Sequence, residues 1–328
     1  MVRLFDSIKI NSLELKNRIL MAPMCMGYAD EKGYVTEKLI KHFVERAEGI
    51  GIIITGHAYI EPAGKFNKGQ MGIYSDEHVT GLKKLVESVH DKNTPIGIQI
   101  SHAGGAASSS ITGQTPVAPS SIGSGKETPR ELDESQIEGL VEKFGQAADR
   151  ALTAGFDLIE IHGAHGFLLN QFVSPLTNKR SDKYGGSLEN RIRFPLEVVT
   201  RVREVVGKSF PLEYRLGSDD LSAGGITIED SKVFAKELVR MGIDSLNVSG
   251  GLCGGQPSSL TGEGFFVPQA EAIKKTVKAI VIGGGGIVTP EFADKVIKEK
   301  RVDMVFIGRA LLKDARWAAK AINKVKGK

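Results

Sequence analysis

A (β/α)8 barrel of the TIM type, an α/β fold, is predicted by three features of these 328 residues. Eight short apolar runs alternate with eight amphipathic stretches, the pattern of a parallel sheet whose crossovers are helices. Eight such units suit a closed barrel, and a doubly wound sheet would rarely need that many. The 39 glycines gather at the ends of the apolar runs rather than in a linker.

In chain order, Leu4–Leu15 alternates enough to form a hairpin capping the barrel bottom. Strands are then expected at Ile19–Met24, Gly51–Thr55, Ile96–Ile100 and Asp157–His162. Four more follow at Leu212–Leu216, Ser245–Ser249, Ala279–Gly283 and Asp303–Gly308. Helical periodicity falls at Thr36–Arg46, Asp76–His90, Ser135–Ala154 and Glu189–Val206. It returns at Ile228–Met241, Pro268–Thr276, Pro290–Lys298 and Ala310–Lys324. Ser135 with Glu138 reads as a capping box, and Thr289 before Pro290 as a helix start. Two connections are long, Ser101–Asp133 and Gly163–Leu188. Long loops in compact domains are usually functional. No domain boundary is visible, so residues 1–328 are expected to form one domain.

Composition removes several function classes. Cys25 and Cys253 are too few for a disulfide framework or an iron–sulfur cluster, which makes a reducing cytoplasm the expected location. No apolar run reaches the roughly 18–20 residues that span a bilayer, and no signal-peptide pattern opens the chain. A formal charge of +4 without a concentrated basic patch suits anionic small molecules rather than nucleic acid.

The active site of such a barrel lies at the carboxyl ends of its strands. Those ends present Pro23-Met24-Cys25, Thr55-Gly56-His57, Gln99 with His102, and His162 with His165. They continue with Arg215, Ser249-Gly250-Gly251, Gly283 to Gly286, and Gly308-Arg309. Consecutive glycines let backbone N–H groups approach an anion, and Arg309 can pair with the same phosphate. The alternative is that these glycines only make tight turns. Arg215 inside an apolar strand needs an anionic partner, either a ligand such as a reduced flavin or a salt bridge to Asp219 or Glu213. Two imidazoles three residues apart at a strand end can donate hydrogen bonds to a carbonyl or developing oxyanion. Metal ligation by His162 and His165 with His102 or His57 is a weaker reading, since no carboxylate or cysteine completes a familiar spacing. No metal site is expected.

Several stretches together resemble the old yellow enzyme family across essentially the whole chain. They are Phe5-Asp6 through Asn17-Arg18, Ala22-Pro23-Met24, Ile98 to Gly104, the 160–194 block with Asn190-Arg191 and Arg193-Phe194, and Phe306-Ile307-Gly308-Arg309. The resemblance implies an FMN-containing barrel that takes hydride from NADH or NADPH and passes it to an alkene conjugated with a carbonyl-type group. It implies tightly bound FMN lined by Pro23, Met24 and Cys25, with Gly56 near its edge. Gln99 is implied at the pyrimidine ring and Arg215 at the N1–C2 carbonyl region. Gly284, Gly285, Gly308 and Arg309 are implied at the phosphate, with His162 and His165 on the substrate's activating group. Cys25 resembles the bacterial subgroup with a cysteine beside the flavin. The chain is also similar to the barrel portion of dienoyl-CoA reductases, and their cluster cysteines and second nucleotide-binding domain are not expected here.

Two departures from the family pattern stand out. The position commonly held by a proton-donating tyrosine is Phe167, and Gly27 intervenes before Tyr28, displacing the aromatic often found near the cysteine. Reduction of an activated alkene with Tyr28, another hydroxyl or water as proton donor is the leading expectation. The alternatives are a flavin-dependent dehydrogenase or demethylase acting on an amine or other reduced substrate, and an electron-transfer subunit working with an iron–sulfur partner. A small-molecule substrate and a homo-oligomer are expected, with neither nucleic acid nor membrane as partner.

Overall fold

The apolar runs condense into one closed sheet with the helices outside it. The structure, a computed structural model, describes residues 2–122 and 127–327. Positions 123–126 of the first long connection lie outside the described residues. The strands are β1 (Ile8–Ile10), β2 (Leu13–Leu15), β3 (Ile19–Met21), β4 (Ile52–Tyr59), β5 (Ile96–Ser101), β6 (Val117–Ala118) and β7 (Arg130–Glu131). Then come β8 (Leu158–Gly163), β9 (Leu212–Gly217), β10 (Ser245–Ser249), β11 (Ile280–Gly284) and β12 (Met304–Ile307). Strands β3, β4, β5, β8, β9, β10, β11 and β12 form the barrel, all parallel. It closes where Val305, Phe306 and Ile307 pair with Ile19, Leu20 and Met21. The fold is the expected (β/α)8 barrel.

The helices are α1 (Glu37–Val44), α2 (Val79–His90), α3 (Ser109–Thr112), α4 (Glu134–Ala154), α5 (Leu168–Val173) and α6 (Leu188–Arg191). They continue with α7 (Arg193–Val206), α8 (Ile228–Arg240), α9 (Val267–Lys274), α10 (Pro290–Lys298), α11 (Arg309–Lys313) and α12 (Trp317–Lys326). Their apolar stripes meet the outward faces of the strands in a core that includes Ile53, Ile98, Ile159, Ile161, Phe144 and Val198.

The first strand pair is the antiparallel hairpin foreseen at the amino terminus, with Ile8 opposite Leu15. Ile10 and Leu15 are wholly buried among the inward residues Leu20, Ile52, Leu158, Ile282 and Met304. Asn11 at the hairpin turn donates to the Lys208 carbonyl (2.8 Å) and to Asp244 (3.0 Å), just before β9 and β10. The hairpin therefore plugs the amino-terminal end of the barrel and leaves the carboxyl end open for a site.

Boundaries differ from the sequence pattern where particular residues intervene. β3 stops at Met21 because Pro23 has no N–H to continue the ladder. β4 runs on to Tyr59 through a register shift between Thr55 and Ala58. The capping box of α4 is built by Asp133 and Gln136 rather than Ser135 and Glu138, and Ser135 donates to Asp133 instead. The expected Glu189–Val206 helix is two helices, since Pro195 cannot donate back to Arg191 and so belongs in a first turn. The last expected helix is also divided, at an extended Asp314.

Candidate active site

The carboxyl end of the barrel holds a cavity of about 590 Å³. On its walls stand Pro23, Met24, His165, Arg215, Gly285, Gly308 and Arg309, seven of the residues singled out from sequence. Gly286 of the glycine run, Phe306 of the family stretch and Phe265, which the sequence did not flag, line it as well.

The loop after β3 carries Pro23 and Met24 to the cavity and Cys25 to an adjoining narrow cleft with Tyr28, Gly56 and His57. Gly56 is required there, because a Cβ would stand 2.3 Å from the Met24 carbonyl oxygen. Cys25 donates through Sγ to Asn67 Oδ1 at 3.3 Å, and burial raises its pKa, so its thiol stays protonated. Tyr28 turns toward α1. Its ring carries the Lys38 ammonium at 4.0 Å and meets His42 edge-on at 5.7 Å. Its described contacts do not include His162 or His165.

Arg215 is the most telling side chain. It points inward from β9, is 4% exposed, and its Nε and Nη1 have no hydrogen-bond partner. Its guanidinium lies 4.4 Å from the centroid of Phe306. Among the described residues it has no ion pair, so the salt bridge to Asp219 or Glu213 is not formed. A buried guanidinium with open donors at a cavity wall is a prepared anion site.

His162, the penultimate residue of β8, is Arg215's register partner and sits 2% exposed with Nδ1 unpartnered. His165 adopts a left-handed φ of 60°, and its Nε2 meets the Ser249 hydroxyl at 2.8 Å. The two rings stand 5.1 Å apart. Burial, then the neighbouring histidines and Arg215, hold both imidazoles far below their ordinary pKa. They are therefore neutral hydrogen-bond donors rather than acids. Phe167 packs its ring 4.7 Å from His162, 4.9 Å from His57 and 5.2 Å from Phe66. The ring thus occupies the edge of the histidine pair.

Across the cavity, Gly285 and Gly286 have φ of 92° and 66°, and Phe265 lies directly over them. Gly284 is not on the wall: it ends β11 beneath the Phe306 carbonyl, and Gly286 takes the exposed place. Among the described residues, no acceptor pairs with the N–H groups of Gly285, Gly286, Gly308 or Arg309. The exposed Arg309 guanidinium is nearby. Free N–H groups plus an arginine form an anion cradle.

Gln99 lies deeper than expected. Fully buried on β5, it donates to Glu160 Oε1 at 2.6 Å and does not line the cavity. His102 is also turned away, toward Glu61 at 2.8 Å. Among the described residues no cluster of three or more His, Cys, Asp or Glu side chains is arranged to hold a metal. Sequence reading listed Ser249 at a strand end and Phe306 in a family stretch without giving either a role, weighed Glu213 only as a partner for Arg215, and did not pair it with Glu160. Only a placement on inward strand positions would have exposed them, and that needs the register.

The chain is similar to known proteins along nearly its whole length. The sequence matches the NADH:flavin oxidoreductase / NADH oxidase family over residues 3–327. It is 43% identical to an NADH oxidase of Thermoanaerobacter brockii, covering 97% of this chain and 50% of that protein. The chain thus spans about half the length of that relative. It is 39% identical to an NADPH dehydrogenase of Halalkalibacterium halodurans, covering 97% of this chain and 94% of the other. An old yellow enzyme homologue from Zymomonas mobilis superposes with a TM-score of 0.87 at 29% identity, covering 98% and 93%.

Proposed function

This chain belongs to the NADH:flavin oxidoreductase / NADH oxidase family, that of the old yellow enzymes, and from that premise we propose that it reduces the C=C bond of an activated alkene. FMN is the family's cofactor and NADH or NADPH its hydride donor. When bound, FMN relays the hydride from NAD(P)H to the alkene. The observation that carries the reading is Arg215, a buried cation with two open donor atoms facing a cavity of about 590 Å³.

The residues present fit FMN. Arg215, whose Nε and Nη1 lack acceptors, would hold the flavin ring and stabilise negative charge on it. Gly285, Gly308 and Arg309 hold the phosphate, with Gly286 joining them in place of Gly284. Pro23 and Met24 line the ring, Cys25 lies at its border, and Gly56 lets that loop close in. Gln99 acts from below, through Glu160, rather than on the pyrimidine ring directly.

His162 and His165 donate N–H groups to the carbonyl oxygen of the substrate and draw charge from the β-carbon. Their neutrality suits this role: each donates without giving up its proton. Phe167 has no proton to give, and Tyr28 points toward Lys38, so water in the cleft or a reoriented Tyr28 supplies the α-carbon proton. Homo-oligomerisation is part of the proposal. A groove of about 810 Å³ along α4, α7 and α8, lined by Val141, Leu196, Val233 and Met241, supports it. So is a cytoplasmic location, since both cysteines are free; among the described residues no helix is long and apolar enough to cross a membrane.

Anaerobic stopped-flow absorbance of the flavin band tests the proposal. Reduction by NADH or NADPH, then reoxidation by cyclohexenone, a maleimide or an enoyl thioester faster than by buffer, is the expected result. Reduction without alkene-driven reoxidation would refute it.

A further inference from the structure

Beneath the cavity, the barrel interior changes character. Its floor is apolar, with Leu20, Ile52, Ile54, Leu158, Ile282 and Met304. Above that floor, β5, β8, β9 and β10 contribute Gln99, Glu160, Glu213, Ser245 and Asn247, all 0–1% exposed. Glu160 and Glu213 are register partners on adjacent strands. Glu160 accepts from Gln99 at Oε1 (2.6 Å) and from Asn247 at Oε2 (2.8 Å). The Asn247 amide also reaches Glu213 Oε1 at 3.3 Å, and Ser245 donates to Glu213 Oε2 at 2.6 Å. The two carboxyl groups thus stand side by side on neighbouring strands and share the Asn247 amide.

Two adjacent carboxylate charges, both wholly buried in a dry barrel, repel too strongly to coexist, so the pair keeps one proton. Glu160 accepts two short amide N–H bonds, whereas Glu213 has only a 3.3 Å amide contact and a hydroxyl partner that can itself accept, which places the charge on Glu160 and the proton on Glu213. Burial first, and then the Glu160 charge, hold Glu213 far above the ordinary carboxyl range. The charged or titratable groups facing the pair are Arg215, two residues beyond Glu213 on β9, and His162, two beyond Glu160 on β8. Gln99, Ser245 and Asn247 are uncharged. None of this is needed to bind a substrate at the histidines.

We propose that Glu160 and Glu213 form a one-proton carboxyl pair whose single negative charge balances Arg215 and so sets the reduction potential of the bound flavin. The pair makes Glu160 and Glu213 positioning residues, acting through Arg215 and Gln99 rather than on the reacting atoms. The inference rests on the proposed placement of FMN over Arg215. Without the pair's charge, Arg215 would face the incoming negative charge of the hydride uncompensated, and reduction would become easier.

The test compares midpoint potentials of FMN-loaded wild type, Glu213→Gln, the double variant Glu160→Gln/Glu213→Gln, and Arg215→Ala. Glu213→Gln replaces a protonated carboxyl with a neutral amide and is expected to keep the ratio of reduced to oxidised flavin affinity within about twofold. The double variant is expected to favour reduced flavin about tenfold, a rise of about 30 mV for a two-electron couple. Arg215→Ala is expected to shift the potential the opposite way. A Glu213→Gln shift as large as the double variant's would overturn the one-proton pair. So would an unmoved double variant beside a shifted Arg215→Ala, which leaves the flavin placement standing. If neither responds, that placement itself is wrong. Infrared difference spectra of the apoprotein give a flavin-independent readout: a protonated-carboxyl band must be present in wild type and lost in Glu213→Gln.

Discussion

The guanidinium of Arg215 lies 4.4 Å from the ring centroid of Phe306, and among the described residues no ion pair holds it while its Nε and Nη1 have no hydrogen-bond partner. A cation over an aromatic face gains about 0.5–2 kcal/mol, far less than a buried charge loses on leaving water. Phe306 therefore holds the guanidinium in orientation while its remaining donors await an anion.

From this relationship, Arg215→Ala is expected to loosen FMN about 10–100-fold, since a hydrogen bond to a charged group contributes roughly 1.5–3 kcal/mol. Flavin fluorescence during dialysis or titration of apoprotein measures it. Retention equal to wild type would show that the flavin does not rest on Arg215.

Removing the substrate donors should affect the second half-reaction alone. His162→Ala or His165→Ala is expected to slow alkene-driven reoxidation about 10²–10³-fold, the usual cost of one oxyanion donor. Reduction by NAD(P)H should change much less. Because both imidazoles titrate far below neutrality, reoxidation should be independent of their protonation from pH 6 to 8. A step in the rate near pH 6.5 that disappears in either variant would contradict their neutral state.

Much of this site was legible in the chain because its residues fall at strand ends, which periodicity locates. Pro23, Met24, His165, Arg215, Gly285, Gly308 and Arg309 meet at one cavity as that placement implied. Gly284 and Gln99 went elsewhere for reasons of register: one residue decides whether a glycine ends the strand or opens the loop, and one layer decides whether a side chain faces ligand or core. Glu160 and Glu213 were visible as letters but not as a pair, because partners across β8 and β9 are separated by more than fifty residues of chain and meet only when the barrel closes. The Asp133 cap was missed by two residues, since both Asp and Ser start helices and only the fold shows which one is extended.

Stability should fall in acid through the buried imidazoles. His57 is held down to about 4 by burial, against about 6.5 when unfolded. Between those values the unfolded chain binds a proton that the native chain refuses, so stability rises with pH across this window and is lost as pH falls through it. The slope is up to about 1.4 kcal/mol per pH unit for one such histidine. Glu213, raised above its unfolded value, works the other way, its contribution declining as pH rises past the ordinary carboxyl range. Urea denaturation of wild type and His57→Asn between pH 4 and 7 separates them: the variant should show a shallower slope. Parallel curves would mean that His57 takes up a proton in the native state.

Phe167 offers the sharpest test of the missing proton donor. Its ring is 6% exposed and wedged between His162 and His57, with Phe66 against its outer side. A hydroxyl added at the ring's tip by Phe167→Tyr adds one oxygen atom at a packed edge, at a cost of about 1–3 kcal/mol if nothing shifts. If protonation of the α-carbon limits reoxidation, the new phenol should accelerate it, since general acid assistance contributes about 10²–10⁴ where proton transfer is slow. The solvent isotope effect on reoxidation should fall at the same time, because protonation would cease to be limiting. Acceleration with an unchanged isotope effect would assign the gain to substrate positioning. An unchanged rate with a small isotope effect in both proteins would show that water or Tyr28 already delivers the proton faster than the hydride arrives.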